Sequence, residues 1–95
     1  MAIWLVKMPK EKYIVITAVG RDKPGLIAGV SSIVASINGN IEDLDQVTMK
    51  NAIFVMSMLV DFAKCKKSFK EIKKTLVEGG KKLGLTIEVY EVRML

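Results

Sequence analysis

The 95-residue chain contains no histidine and a single cysteine, Cys65. Without histidine, acid–base catalysis near neutral pH lacks the side chain that most often serves it. One cysteine and no histidine also leave a zinc site without its usual ligands, so we expect no metal and no cofactor. Because a lone thiol cannot form an intramolecular disulfide, a reducing, cytoplasmic environment fits the sequence best.

Long apolar runs are also missing, and no stretch approaches the roughly 18 residues that a membrane span needs. Apolar residues nevertheless make up 51% of the chain, which excludes a disordered protein. A chain this short has a large surface for its volume. We therefore expect one domain, residues 13–95, behind an N-terminal extension, residues 1–12, with part of the apolar surface buried against another subunit.

The net charge of +5 is concentrated between Lys64 and Lys82, a segment that contains eight lysines and only two glutamates. Such a segment can bind nucleic acid, but a solvated helix face is the favoured interpretation. The aromatic strand motif of RNA-recognition domains is absent. Nucleic-acid binding is therefore less favoured than binding of a small ligand.

The first half of the chain is typical of a strand followed by a helix. Tyr13–Val19 is short and rich in β-branched residues, which predicts a buried strand. Apolar residues then recur at helical spacing from Leu26 to Ile37. The helix is expected to end at Asn38-Gly39, with the glycine in the left-handed conformation.

Two strands follow this helix. Asn40–Met49 is predicted as the second strand, and its alternation breaks near Leu44, which indicates a bulge. Lys50-Asn51 forms a plausible tight turn. Ala52–Phe62 is predicted as the third strand, with large apolar residues on both of its faces.

The last two elements are a second helix and a fourth strand. Ser68 and Glu71 have the spacing of a capping box at the start of the helix. Gly79-Gly80 inside the helix either permits close packing or makes the helix fray. Gly84 is expected to close the helix, and Leu85–Val92 alternates as a strand does.

The element order β-α-β-β-α-β predicts an α+β, ferredoxin-like sandwich. Two right-handed crossovers joined by a hairpin give a four-stranded antiparallel sheet, with both helices on one face and the first and third strands in the centre. The other face then needs a cover, because the third strand is apolar on both sides. The cover is either the N-terminal segment, whose residues 3–6 read Ile-Trp-Leu-Val, or a partner chain, which predicts a homodimer or a higher homo-oligomer.

The turn from Gly20 to Leu26 is the main candidate site. A strand that turns into a helix leaves free N–H groups at a positive dipole end, and these suit a carboxylate or a phosphate. The spacing of Gly20 and Gly25 resembles a phosphate-binding loop, but the lysine and the Ser/Thr of that loop are missing, which excludes nucleotide hydrolysis. Asp22 can cap the helix or bind an ammonium group, and Gly25 allows close approach to the backbone. Taken alone, the turn is better explained as a well-capped helix start.

Other candidate chemistry is weaker. Ser31 and Ser32 lie on the predicted helix without a histidine to activate them. Glu42, Asp43 and Asp45 form an acidic cluster that can bind a cation, but a charge-protected edge strand is the favoured interpretation. The sequence therefore predicts a protein that is not an enzyme.

Two stretches together resemble the ACT domain family. They are ITAVGRDKPGLIAGV, which contains the Asp-x-Pro-Gly turn, and INGNIEDLDQ after the first helix. The sequence is most similar to the ACT domains of glycine-cleavage repressors and formyltetrahydrofolate deformylases, and to small stand-alone ACT proteins. The resemblance covers about Tyr13 to Val92.

The resemblance implies a regulatory module that binds an amino acid or a similar small ligand. In this family dimers commonly pair their sheets side by side. The ligand then lies between the strand–helix turn of one chain and the start of the second strand of its partner. Carried over by position, the ligand-binding residues are Arg21, Asp22, Pro24, Gly25, Leu26 and Ile27 on one side, with Asn38, Asn40 and Ile41 on the other.

The sequence leaves two functions open besides the less favoured one, a basic accessory protein that contacts nucleic acid through Lys66 to Lys82. The first is a dimeric module that senses an amino acid or a related carboxylate. The second is a ligand-free dimerisation or interaction module that docks a separate enzyme or regulator. The family usually regulates a fused domain, and this sequence shows none. Either the protein acts on a separate partner, or its ligand site has decayed and only dimerisation remains.

Overall fold

The computed structural model describes residues 12–92, and the predicted element order is confirmed. The elements are β1 (Tyr13–Arg21), α1 (Leu26–Ser36), β2 (Asn40–Met49), β3 (Ile53–Asp61), α2 (Phe69–Lys82) and β4 (Leu85–Val92). Apart from Lys12, the predicted N-terminal extension lies outside the described residues. None of the helices within residues 12–92 is long and apolar enough to cross a membrane.

The four strands form one antiparallel sheet in the order β2-β3-β1-β4, which confirms the first and third strands as the central pair. On β3, Phe54, Met56, Met58 and Val60 are buried, whereas the residues between them are exposed or half-buried. The two helices therefore cover one face of the sheet. The opposite side, which carries Val15, Val19, Val55 and Leu59, is called the open face below.

Close packing explains the two glycines inside α2. A Cβ at Gly79 would lie 2.6 Å from Ile33 Cδ1 of α1, and a Cβ at Gly80 would lie 2.6 Å from Ile87 Cδ1 of β4. The helix continues through both residues to Lys82. Of the two predicted roles for this pair, close packing is therefore the one observed.

The end of α1 differs from the prediction. The left-handed residue is Asn38, with φ 61°, and not Gly39. The Gly39 N–H donates to the Val34 carbonyl at 2.9 Å, which closes the helix after Ser36. Gly39 is needed for space instead, because a Cβ there would lie 2.7 Å from the side chains of Val34 and Phe62.

The hairpin between β2 and β3 follows the prediction. Lys50 and Asn51 both have positive φ, at 52° and 55°, as tight hairpin turns require. The predicted bulge is present as a register shift between Ile41 and Asp43. Beyond this shift, Leu44 pairs with the buried Met58, while Asp43 and Asp45 pair with residues of the open face.

Candidate functional site

The turn between β1 and α1 is held against the β2–β3 hairpin. The Asp22 N–H donates to the Ala52 carbonyl at 2.8 Å. Gly25 occupies the N-cap position with φ 87°, a conformation that glycine adopts without strain. No side chain among the described residues caps this helix, and its first turn contains no acidic residue. The capping role predicted for Asp22 is therefore wrong.

The start of α1 consequently keeps its hydrogen-bonding capacity. Gly29 is the first residue whose N–H reaches a helical acceptor, the Gly25 carbonyl at 2.9 Å. The N–H groups of Leu26, Ile27 and Ala28 precede it and have no acceptor within the helix. Together with the positive end of the helix dipole, they form a site that favours a negative charge.

The residues that carry these N–H groups line a hollow of about 280 Å³, here called the turn groove. Leu26 and Phe54 are each 2% exposed and give the groove an apolar floor. Asp22 and Lys23 are exposed and bring one charge of each sign. The lining residues are Asp22, Lys23, Gly25, Leu26, Ile27, Ala28, Gln46 and Phe54.

The structure places four of the six predicted turn residues in this groove: Asp22, Gly25, Leu26 and Ile27. Arg21 borders a separate hollow of about 240 Å³ with Val19 and Ile53. Pro24 is exposed and does not line the turn groove.

Sequence reasoning missed Lys23, Ala28, Gln46 and Phe54 as lining residues. Lys23 lies in the predicted turn and Ala28 in the first turn of the predicted helix. Their position in the sequence was therefore the signal that could have identified them as lining residues. Gln46 and Phe54 come from β2 and β3 and enter the groove only through the pairing of the strands.

The other predicted half-site lies at the far end of α1. Asn38 and Asn40 border a hollow of about 750 Å³ together with Ala35, Gly39, Asp61, Ala63 and Lys64. The Asn40 side-chain amide donates to Glu42 Oε2 at 2.8 Å. Ile41 is 36% exposed and does not line this hollow.

One chain does not bring the two half-sites together. They lie before and after α1, whose 11 residues rise about 16 Å at 1.5 Å per residue. A small ligand cannot contact both ends of this helix within one chain. A complete site of the predicted kind therefore needs a second chain.

Reactive groups are scarce within residues 12–92. No group of three or more Asp, Glu or Cys side chains there is arranged to hold a metal ion. Cys65 is buried, and its Sγ accepts a hydrogen bond from the Lys67 N–H at 3.4 Å.

Known proteins share both the sequence and the fold. The ACT domain family model matches residues 12–90. A UPF0237 protein of Clostridium acetobutylicum is 46% identical over 77 residues, which are 81% of this chain and 85% of the relative.

Two solved structures illustrate the likeness of fold. An ACT domain protein from Streptococcus pneumoniae superposes with a TM-score of 0.77 at 30% identity, over 85% of this chain and 90% of that one. A formyltetrahydrofolate deformylase from Pseudomonas syringae superposes with a TM-score of 0.78 at 15% identity, over 97% of this chain and 31% of that one, and shows the fold alone. The family match, the sequence identity and the βαββαβ architecture agree, and the chain belongs to the ACT domain family.

Proposed function

We propose that this protein is a non-enzymatic regulatory module of the cytoplasm that binds an amino acid or a similar small carboxylate between the two chains of a homodimer. The open start of α1 is the observation that carries the proposal. The residues that carry its first N–H groups line the turn groove, and neither a side-chain cap nor a first-turn acid occupies those groups. An anion from outside the chain can therefore bind there.

The groove suits both ends of an amino acid. The N–H groups of α1 and the Lys23 ammonium favour a carboxylate. The Asp22 carboxylate at the same rim favours an ammonium group. Leu26 and Phe54 supply apolar contact between these two polar regions.

The arrangement of β2 supports a homodimer. β2 is an edge strand that starts at Asn40, beside the hollow of about 750 Å³ at the C-terminal end of α1, and passes the turn groove at Gln46. If two β2 edges pair antiparallel about a two-fold axis, the start of one strand lies beside the end of the other. Asn38 and Asn40 of one chain then approach the turn groove of its partner.

A thermal-shift screen of the amino acids, including glycine and serine, tests the ligand. A ligand at 100 times its Kd stabilises the folded protein by about 2.7 kcal/mol. For a domain of this size, that raises the Tm by roughly 10 °C or more. The absence of any shift at millimolar concentrations of all amino acids would contradict amino-acid binding.

A second candidate function is a ligand-free interaction module that docks a separate enzyme or regulator. The exposed apolar residues of the open face favour it, because isolated monomers seldom expose such a patch. A negative ligand screen combined with co-purification of a defined partner, lost on substitution of the open face, would favour this function over the first.

A further inference from the structure

The open face consists of rows of residues that run across the strands, named here from the hairpin end of the sheet. The hairpin row is formed by Met49, Ile53 and Arg21. The valine row comes next and is formed by Val47, Val55 and Val19. The polar row follows it and is formed by Asp45, Ser57, Thr17 and Glu88.

The apolar residues of the hairpin row and the valine row are exposed to an unusual degree. The four most exposed, at 44–52%, are Val19, Val47, Met49 and Ile53. Nothing within residues 12–92 covers them, because both helices pack on the opposite face. Beyond the polar row, Val15 and Leu59 are half-buried instead. A contiguous apolar patch of this kind marks a surface with a partner, and it lies at the hairpin end of the face.

The charges of the open face lie on either side of the valine row. Arg21 belongs to the hairpin row and Lys50 lies at the hairpin tip, and both are exposed. Asp45 and Glu88 occupy the two ends of the polar row and are exposed as well. Tyr90 Oη donates to Glu88 Oε1 at 2.7 Å, which orients that carboxylate. Along the strands, the face therefore changes from positive through apolar to negative.

This order is complementary to itself under a two-fold rotation. If the axis crosses the strands along the valine row, the valine row of one copy lies against the valine row of the other. The hairpin row and the polar row lie at equal distances on either side of it, two residues away along each strand. Each hairpin row therefore faces the polar row of the other copy, and cations meet carboxylates at both ends of the contact.

Side chains can span the gap between the two copies. Arg21 lies opposite Thr17 of the second copy, on the strand next to the one that carries Glu88. Neighbouring strands are about 4.8 Å apart and packed sheets about 10 Å apart, a separation that an arginine and a glutamate side chain bridge together. In the same arrangement Lys50 is the cation at the β2 end of the polar row, where Asp45 lies.

Other face-to-face arrangements lack this complementarity. An axis across the strands through the polar row sets Asp45 against Asp45 and Glu88 against Glu88. An axis along the centre of the sheet, parallel to the strands, sets Asp45 against Glu88. Burying like charges against each other is strongly unfavourable, so the valine row is the position of the axis that the charges favour.

We propose that the open face binds a second copy of itself about this axis, with the valine rows in contact and Arg21 of each chain paired with Glu88 of the other. Apolar burial supplies the affinity, and the charge pairs fix the orientation. The contact uses the face of the sheet and neither its β2 edge nor the turn groove, so the proposal does not depend on a ligand.

Val19→Lys tests the contact at its axis, where it sets two lysines against each other. The mass of the full chain, measured by sedimentation equilibrium at high micromolar concentration, should fall by half. The change is from dimer to monomer, or from tetramer to dimer if the β2 edges also pair. Ser32→Lys adds the same charge on the exposed side of α1 and should leave the mass unchanged.

Charge reversal tests the orientation and does not depend on whether Val19→Lys folds. Arg21 and Glu88 are both exposed, so their replacement leaves the core intact. Arg21→Glu and Glu88→Arg each set like charges against each other and should raise the dissociation constant of the full chain roughly tenfold. The chain that carries both substitutions restores opposite charges at both pairs, and its dissociation constant should return close to that of the unmodified chain.

A full chain that stays monomeric up to near-millimolar concentration would overturn the proposal, whatever covers the open face instead. An assembly whose mass is unchanged by Val19→Lys would also overturn it, because the chains then associate through another surface. That result would leave the proposed ligand-binding homodimer unaffected. Single charge reversals that weaken association without recovery in the double variant would contradict the pairing of Arg21 with Glu88, and with it the position of the axis.

Discussion

The two helices of this protein begin in opposite ways. At the start of α2, the Glu71 N–H donates to Ser68 Oγ at 3.2 Å, and the Ser68 N–H donates to Glu71 Oε1 at 2.9 Å. This capping box confirms the prediction from sequence and satisfies two free N–H groups reciprocally. The start of α1 has a left-handed glycine and neither a side-chain cap nor an acid.

The two helices also differ in the interactions that stabilise them. α2 carries Glu71 in its first turn and Lys81 and Lys82 in its last, so its charges complement the helix dipole. α1 has no charge at either end and depends on the burial of Leu26, Val30 and Val34. The chain thus completes one helix start by itself and leaves the other available to an external anion.

Giving α1 an acid of its own should produce the largest effect. Ala28→Asp places a carboxylate in the first turn, where it repels a bound carboxylate by about 2 kcal/mol at an effective dielectric constant near 40. We expect roughly a 30-fold loss of ligand affinity by calorimetry. The free protein should become more stable by roughly 0.5 kcal/mol, because the acid complements the helix dipole.

Ala28→Asn is the matched control for this substitution. It has the same shape without the charge, and we expect it to retain most of the affinity. Equal affinities for the Asp and Asn variants would show that the start of α1 does not bind the carboxylate.

The N-cap glycine is the next position to test. A Cβ at Gly25 would meet no atom within 4 Å, so the cost of a substitution lies in the φ of 87°. Gly25→Ala should lower the free energy of unfolding by about 1–2 kcal/mol in urea denaturation. Gly25→Asn should cost less, because asparagine tolerates the left-handed region; an equal cost for both variants would contradict this explanation.

Removing the cap of α2 should affect stability alone. Ser68→Ala should cost about 1 kcal/mol, because the Glu71 N–H loses its acceptor. Ser68→Thr should retain most of the stability. Since this helix start lies outside the turn groove, neither variant should change ligand affinity, and a large change would mean that the two helix starts are not independent.

The smallest expected effect is a pH dependence confined to α2. Hydrogen bonds from the Ser68 backbone and side chain, with a smaller contribution from the Lys67 charge, lower the pKa of Glu71 below its ordinary 4.5. Because the folded pKa is lowered, this stabilisation is complete above the unfolded pKa and is lost as the pH falls through the folded one. Urea denaturation between about pH 6 and pH 3 should show it in the unmodified chain. Glu71→Gln should remove this component, and an unchanged profile would contradict the assignment.

Local signals in the sequence predicted most of the fold. The start of α1 at Leu26, the bounds of β2 and β4, the capping box and the Lys50-Asn51 turn depend on neighbouring residues, and all are confirmed. The residue that closes α1 was assigned wrongly. Asparagine and glycine both adopt positive φ. Asn38 takes the left-handed conformation, and Gly39 provides the space beside Phe62.

The candidate site was less accessible to prediction. The turn could be recognised because its residues are contiguous, but Gln46 and Phe54 reach the groove through strand pairing. The bulge between Ile41 and Asp43 sets that register, and its position shifts every later residue of β2. The proposed second half-site depends on how two chains would meet, which a single sequence does not specify.

The most direct test of the open helix start is an amide NMR titration of the full chain with an amino acid identified in the thermal screen. We predict that the amide signals of Leu26, Ile27 and Ala28 shift on binding, together with those of Asn38 and Asn40 from the partner chain. The amides of residues 69–71, at the capped start of α2, should remain unchanged. Shifts that leave Leu26, Ile27 and Ala28 unaffected while the ligand binds elsewhere would contradict the account.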